Sequence, residues 1–199
     1  MTTDRAQLRE ETLRQRLLET PRRIVIGASG VFEPGWTPTD VRELDLLRPE
    51  TWERCVQPAS VDALMAEHVW EHLTLEQGRI AARTCHRFLK PGGYLRVAVP
   101  DGLFPSAEFQ EYIKIGGKAG GGVMGGHLIV YTYVVLRGVF ESAGFATTLL
   151  EYHDEAGQFH YHEWDPAQGK IHRSKRFDDR GAISIILDAH KVAGIIRVI

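Results

Sequence analysis

An α/β fold with a mainly parallel sheet is predicted by three observations. Short apolar runs alternate with helical segments along most of the chain. Glycine-rich turns follow or precede several of those runs. Polar residues gather where the runs end, the edge at which open parallel sheets bind their ligands. The pair AEHVWEHLT at 66–74 and LKPGGYLRVAVPD at 89–101 shows all three at once. It reads as strand, acidic and histidine-rich turn, helix, glycine turn, buried strand and a Pro-Asp edge.

Residues 4–19 carry mixed charges with Leu8, Leu13, Leu17 and Leu18 as a thin apolar set, and Pro21 stops this helical arm. Arg23-Ile24-Val25-Ile26 is a first strand that opens into a tight turn, Gly27-Ala28-Ser29-Gly30. Residues 37–40 form a short second strand, and residues 43–47 a third extended piece. Pro49, suited to a first helical turn, starts a helix through Trp52. Residues 61–66 are apolar but for Asp62 and read as a buried strand.

Thr74 with Gln77 three positions on makes a capping box. The helix it starts places Gly78, Ala81, Ala82, Cys85, Phe88 and Leu89 on one face and Arg79, Arg83 and Arg87 on the other. Lys90-Pro91-Gly92-Gly93 ends it, and residues 94–99 return as a strand. A helix over 105–115 follows. The glycine-rich stretch 116–126 is expected to be a mobile loop, because glycine loses the most backbone freedom on ordering. Residues 132–143 form a helix closed by Gly144, with a strand over 145–152. Residues 153–175 read as a polar hairpin around Asp165-Pro166, and 183–187 as the last strand.

At 199 residues the chain fits one domain: an arm over 1–21, a body over 22–190 with a hairpin cover at 153–182, and a tail over 191–199. With 43% hydrophobic residues a packed core is expected rather than disorder. A formal charge of −2 supplies no field that would draw in nucleic acid or an acidic membrane. Cys55 and Cys85 lack metal-type spacing and read as reduced thiols. The polar N-terminus has no signal-peptide core, and no apolar run reaches the length of a membrane span. A soluble cytoplasmic protein is expected, monomer or homodimer, with a small-molecule substrate and neither nucleic-acid nor membrane partners.

The glycine turn puts small residues where a ligand can touch the backbone, and its N–H groups can receive a polar group. An ordinary strand-to-loop turn has the same look. The GxGxxG spacing of a dinucleotide fingerprint is absent, which counts against a nicotinamide dehydrogenase. Asp40, near the end of the next strand, can accept both hydroxyls of a ribose. Asp45 is the weaker second choice.

Taken in order, RIVIGASGVFEPGWTPTD, LDLLRPETW, VDALMAEHVWEHLT and LKPGGYLRVAVPD resemble a small class I S-adenosylmethionine-dependent methyltransferase of the bacterial type 11-like kind. The resemblance covers residues 22–152 well and the tail through 190 less distinctively. It implies a Rossmann-like three-layer sandwich on a seven-stranded sheet, with the polar hairpin inserted before the last strand. Where such proteins usually have Gly-Cys-Gly, this chain has Gly27-Ala28-Ser29-Gly30. The resemblance places Gly27, Ala28, Ser29 and Gly30 under the methionine part of S-adenosyl-L-methionine and Asp40 at the ribose. It puts Asp45 and Leu46 near the adenine, with Glu67 and His68 flanking the sulfonium.

His68-Val69-Trp70-Glu71-His72 formally matches H-x-x-E-H, a zinc peptidase pattern. A peptidase needs both histidines on one helical face, and this segment precedes the helix cap Thr74. Some methyltransferases of this fold carry E-x-x-E-H after the same strand and bind a divalent cation that makes a hydroxyl nucleophilic. This chain resembles that element with His68 in place of the first Glu. His127 is a further candidate ligand, and imidazole-rich ligation favours zinc, iron or a similar metal over magnesium. Alternatively, Glu71 and His72 form a hydrogen-bonded pair that merely orders the turn. Without metal, His68, His72 or His127 would serve as general base.

His160 and His162 would share one strand face, either chelating a metal or forming a solvated edge. Arg173, Lys175 and Arg176 could receive a substrate carboxylate or phosphate, or be neutralised by Asp178 and Asp179. The leading expectation is methyl transfer to oxygen or nitrogen of a small molecule. His68, Glu71, His72 and His127 would carry it, with Asp101 as a supporting carboxylate. The rivals are a non-methylating S-adenosylmethionine-binding regulator and a metal-dependent hydrolase.

Overall fold

Apolar residues on the central strands alternate between two destinations, which sets the layers. The computed structural model describes residues 10–30, 33–119 and 125–193. In strand β1 (Arg23–Ile26), Ile24 and Ile26 enter the larger of two hydrophobic clusters and Val25 the smaller. In β3 (Val61–Glu67), Leu64 and Ala66 face the first cluster, Ala63 and Met65 the second. Strands buried on both faces are the mark of a parallel α/β sheet.

With β2 (Thr37–Pro38), β4 (Leu89–Pro100), β5 (Ala146–His153), β6 (Phe159–Tyr161) and β7 (Ser184–His190), the sheet has seven strands in the order β2-β1-β3-β4-β7-β5-β6. The first four run parallel. Strand β7 is antiparallel to both β4 and β5, so β5 shares the direction of β4, and β6 folds back on β5. The predicted α/β class with a mainly parallel seven-stranded sheet is what the chain adopts.

A helix over 10–16 (α1) and α2 (Pro49–Glu53), α3 (Leu75–Phe88) and α5 (Tyr133–Glu141) supply the larger cluster; Leu13, Trp52, Phe88 and Phe140 are all buried in it. Helix α3 begins with the full capping box, Thr74 accepting from Gln77 N and Gln77 returning a bond to Thr74 N. Helix α4 (Ala107–Ile113) is capped by Ser106. On the second face the cover comes from Trp36, Trp164 and Ile171. Arg96 is buried there too, bidentate to Asp188 at 2.7 and 2.8 Å, donating to the carbonyls of Asp165 and Gly169 and lying over the Trp164 ring. That one guanidinium ties the segment before β7 to the sheet.

Two expectations are corrected. Residues 43–47 are not extended strand. Asp45 Oδ1 accepts from Leu47 N at 2.9 Å and Trp52 donates to the Asp45 carbonyl, which turns the chain into α2. The hairpin turns at Asp154 rather than Asp165-Pro166. Asp154 Oδ1 accepts from Ala156 N and Gln158 N, each at 2.9 Å, and Gly157 takes φ +75°, whereas Asp165 caps a 3-10 turn over Pro166–Gln168. The expected mobile glycine loop falls partly on residues 120–124, outside the described residues. Likewise the first nine residues of the arm and the tail beyond residue 193 lie outside them.

Candidate functional site

The parallel strands β1, β2, β3 and β4 deliver their C-terminal ends to one edge, and two neighbouring features form there. The first is a cleft of about 370 Å³ between the glycine turn and α1. Ala28, Ser29, Gly30, Pro38, Thr39, Asp40 and Glu43 line one side and Thr12, Leu13 and Arg16 the other. This volume falls within the roughly 300–1,000 Å³ of small-molecule sites. Ser29 and Gly30 take φ of +45° and +85°, and their N–H groups have no partner among the described residues. The Ala28 N–H is already donated to Thr39 O at 3.0 Å. The Asp40 and Glu43 side chains brace the turn after β2: Asp40 N donates to Glu43 Oε2, and Val41 N to Asp40 Oδ1.

Small residues in the turn, an exposed carboxylate at Asp40 and a cation at Arg16 suit a ligand with a ribose-like diol and a charged end, so the chain fits S-adenosylmethionine. Asp45 and Leu46 are not among the residues lining the cleft. Asp45 is spent on the turn described above, and Leu46 is buried in the core. Glu67 is also committed, its two oxygens accepting from His172 N at 3.0 Å and Arg173 N at 2.7 Å.

The second feature follows β3. His68 holds a left-handed φ of +56°, unusual for a residue with a Cβ. Its N–H is fixed to Ala98 O on β4, and its ring lies between Ser184 Oγ, 3.1 Å from Nε2, and Glu71 Oε1, 3.2 Å from Nδ1. Such strain at a strand end is a pointer to function. Glu71, on a 3-10 turn over Trp70–His72, is 1% exposed, and neither carboxylate oxygen has a hydrogen-bond partner among the described residues. The His68 contact is close enough for an ion pair but lacks hydrogen-bond alignment.

One donor atom from each of Glu71, His72 and His127 lies within 4.8 Å of the others. Leu128 N donates to Glu71 O at 2.8 Å, holding the His127 loop against the turn. The Tyr131 hydroxyl is also buried with no partner among the described residues, and burial followed by the charge of Glu71 pushes its pKa above the ordinary tyrosine range.

Asp101 stands apart from this cluster in role. It is fully buried, and Oδ2 accepts from His153 N at 2.8 Å and lies 2.9 Å from His153 Nδ1, while Oδ1 accepts from Leu103 N. His160 pairs with Asp154 at 2.7 Å and stacks on Tyr152. His162 lies past the strand end, exposed. Lys175 lies over Phe159 and Tyr161, and Asp178 pairs with Arg180. Sequence reasoning missed Ser184, Tyr131, His153 and the α1 wall of the cleft. All four come from distant parts of the chain, and no local pattern marks them.

The two features touch. Ile26 and Ala66 are register partners on β1 and β3, so the glycine turn and the His68 segment leave the sheet side by side. A Cβ at Gly27 would lie 2.8 Å from Val69 Cγ2.

A methyltransferase-domain family profile matches residues 48–97, the segment from α2 through most of β4. That segment is similar to a methyltransferase domain, and the whole chain shares the fold of several solved methyltransferases. A methyltransferase of Archaeoglobus fulgidus, described as S-adenosylmethionine dependent, superposes with a TM-score of 0.52 at 15% identity, covering 94% of each chain. An O-methyltransferase family protein of Burkholderia thailandensis gives 0.54 at 13% identity, over 95% of this chain and 57% of its own. A Thermotoga maritima protein described as a possible histamine N-methyltransferase gives 0.50 at 16% identity, over 92% and 88%. At these identities the likeness is one of fold. Comparison with curated protein sequences returns no match. No helix among the described residues is long and apolar enough to cross a membrane.

Proposed function

We propose that this domain transfers a methyl group from S-adenosylmethionine to an oxygen or nitrogen of a small molecule. The adjacency of the glycine turn and the His68 segment, whose backbones leave neighbouring strands and pack at Gly27 and Val69, carries the reading. A ligand seated against residues 28–30 ends beside the groups that can take a proton. When bound, the cofactor supplies an electrophilic methyl on a positively charged sulfur.

The residues of the chain do the rest. Asp40 presents a carboxylate to a diol, and Arg16, across the cleft, presents a cation to a carboxylate. His68, held by Ser184 and the Ala98 carbonyl, is a fixed imidazole beside the reacting edge. As the acceptor's lone pair forms the new bond to carbon and the carbon–sulfur bond breaks, the acceptor's proton passes to a histidine of this cluster. A cation held there would lower the acceptor's pKa and ease loss of that proton to a base or to solvent. Alignment of nucleophile and methyl carbon is the main contribution asked of the fold. A small-molecule acceptor, two unpaired cysteines and a cytoplasmic setting agree with one another.

The test is product formation. Purified protein with S-adenosylmethionine and a panel of hydroxyl and amine compounds should release S-adenosylhomocysteine only with particular acceptors, and His68→Ala should slow release at least about a hundredfold. Tight cofactor binding with no turnover on any acceptor would instead assign the domain to non-methylating cofactor-binding regulators. Absence of cofactor binding would defeat both.

A further inference from the structure

Glu71 poses a chemical problem that the fold leaves unsolved. A carboxylate that is 1% exposed, with neither oxygen hydrogen-bonded among the described residues, is costly unless a cation meets it. His72 and His127 direct donor atoms at the same point, within 4.8 Å of Glu71 and of each other. We propose that Glu71, His72 and His127 form a binding site for one divalent transition-metal ion of the zinc class, with His68 outside the ligand set.

The tautomers support this. His127 Nδ1 lies 2.7 Å from Ile113 O, and a carbonyl only accepts, so the proton sits on Nδ1 and the lone pair on Nε2. His72 Nδ1 is placed in the same sense, 3.4 Å from Gly126 O. A backbone carbonyl orienting the non-ligating nitrogen is the usual support for a metal-bound imidazole. His68 is different: Ser184 Oγ lies 3.1 Å from one nitrogen and Glu71 Oε1 3.2 Å from the other, so its ring is not among the three groups that converge.

Two imidazoles and one carboxylate favour zinc, iron or cobalt over magnesium or calcium. Three protein ligands leave a position open, the pattern of a reactive rather than a purely structural site. His72 is the most exposed of the three, so the cluster borders solvent on its side. Around an ion at about 2.0–2.1 Å the donors must close to roughly 3.3 Å, and the half-exposed His72 ring is the part free to move. The Tyr131 hydroxyl, buried beside Glu71 and unpartnered among the described residues, would gain an acceptor in an oxygen bound at the open position. The ion site stands without reference to the cofactor. Its use to bind and acidify an acceptor hydroxyl rests on the methyl-transfer reading.

Calorimetric titration of the metal-stripped protein with zinc tests it, with cobalt absorption as a second readout. One ion per chain should bind in the micromolar range or tighter. Glu71→Gln and His127→Ala should each weaken binding at least about tenfold, and the more exposed His72→Ala should do the same without risk to folding. His68→Ala should retain affinity within about threefold, and His160→Ala should match wild type. Failure to saturate at about 1 mM zinc, or undiminished binding in both His72→Ala and His127→Ala, overturns the site. Each protein is also titrated with S-adenosylmethionine. In the wild-type protein, absence of zinc binding with cofactor binding intact defeats the ion site alone, and the converse defeats the methyl-transfer reading alone.

Discussion

Replacing Glu71 by Gln should make the metal-free protein more stable, an unusual result for a fully buried side chain. The carboxylate is 1% exposed and both oxygens lack partners among the described residues, so the folded state carries an unsatisfied charge whose desolvation costs at least about 1–3 kcal/mol. Gln keeps the volume and removes the charge, but its amide also stays unbonded, so only part of that cost is recovered. A gain of about 1–2 kcal/mol is expected, or roughly 2–8 °C in the melting temperature of a chain this size. Zinc should narrow or reverse the gap. At a free concentration one hundred times the wild-type dissociation constant it adds about 2.7 kcal/mol to wild type and at most about 1.4 kcal/mol to a variant that binds tenfold or more weakly. Thermal and urea unfolding of both proteins, with chelator and with zinc, gives the four values needed. A metal-free Glu71→Gln protein that is less stable than wild type by more than about 1 kcal/mol would refute the reasoning. It would mean that His68, 3.2 Å away, already satisfies the carboxylate as an ion pair.

Further outcomes are expected elsewhere. Arg96→Met should cost about 3–5 kcal/mol in urea unfolding, because it strands buried Asp188 without its partner and frees the carbonyls of Asp165 and Gly169. The same variant should admit protease to the segment between β6 and β7. Gly27→Ala should weaken cofactor binding and stability together, since the residue takes φ +63° and its new Cβ would meet Val69 Cγ2 at 2.8 Å. Asp178 is held below the ordinary aspartate value of 3.8 by its bond from Arg180. Its contribution is therefore complete above that value and lost as pH falls through the lower native one. Asp178→Asn should narrow its stability gap to wild type as pH drops from about 6 toward 2, which acid-range urea melts can follow.

What could be read from the sequence follows from the range of the interactions. The Thr74–Gln77 box spans three positions, and the β3 and β4 strands announce themselves by composition, so both were legible. The E-x-x-E-H resemblance drew attention to His68, Glu71 and His72 with His127 as a further ligand, and Glu71, His72 and His127 do lie together. Residues 43–47 misled because Leu44 and Leu46 are both buried with Asp45 between them, an alternation produced here by loop packing rather than by a strand. The His68–Ser184, Asp101–His153 and Arg96–Asp188 contacts join residues 116, 52 and 92 positions apart. Only the strand order 4-7-5 brings them together, and no local pattern encodes that order. The same holds for α1, whose Leu13 belongs to the apolar set of the arm and also walls the cleft.

The central claim is that the cleft beside the glycine turn holds S-adenosylmethionine next to the histidine cluster. Calorimetric titration of the purified protein with that cofactor, alongside Asp40→Ala, measures it directly. The expected result is saturable one-to-one binding that Asp40→Ala weakens about tenfold or more, in line with loss of hydrogen bonds to a charged acceptor. The contradicting result is the absence of heat up to about 1 mM cofactor, where binding of only −4.1 kcal/mol would already register.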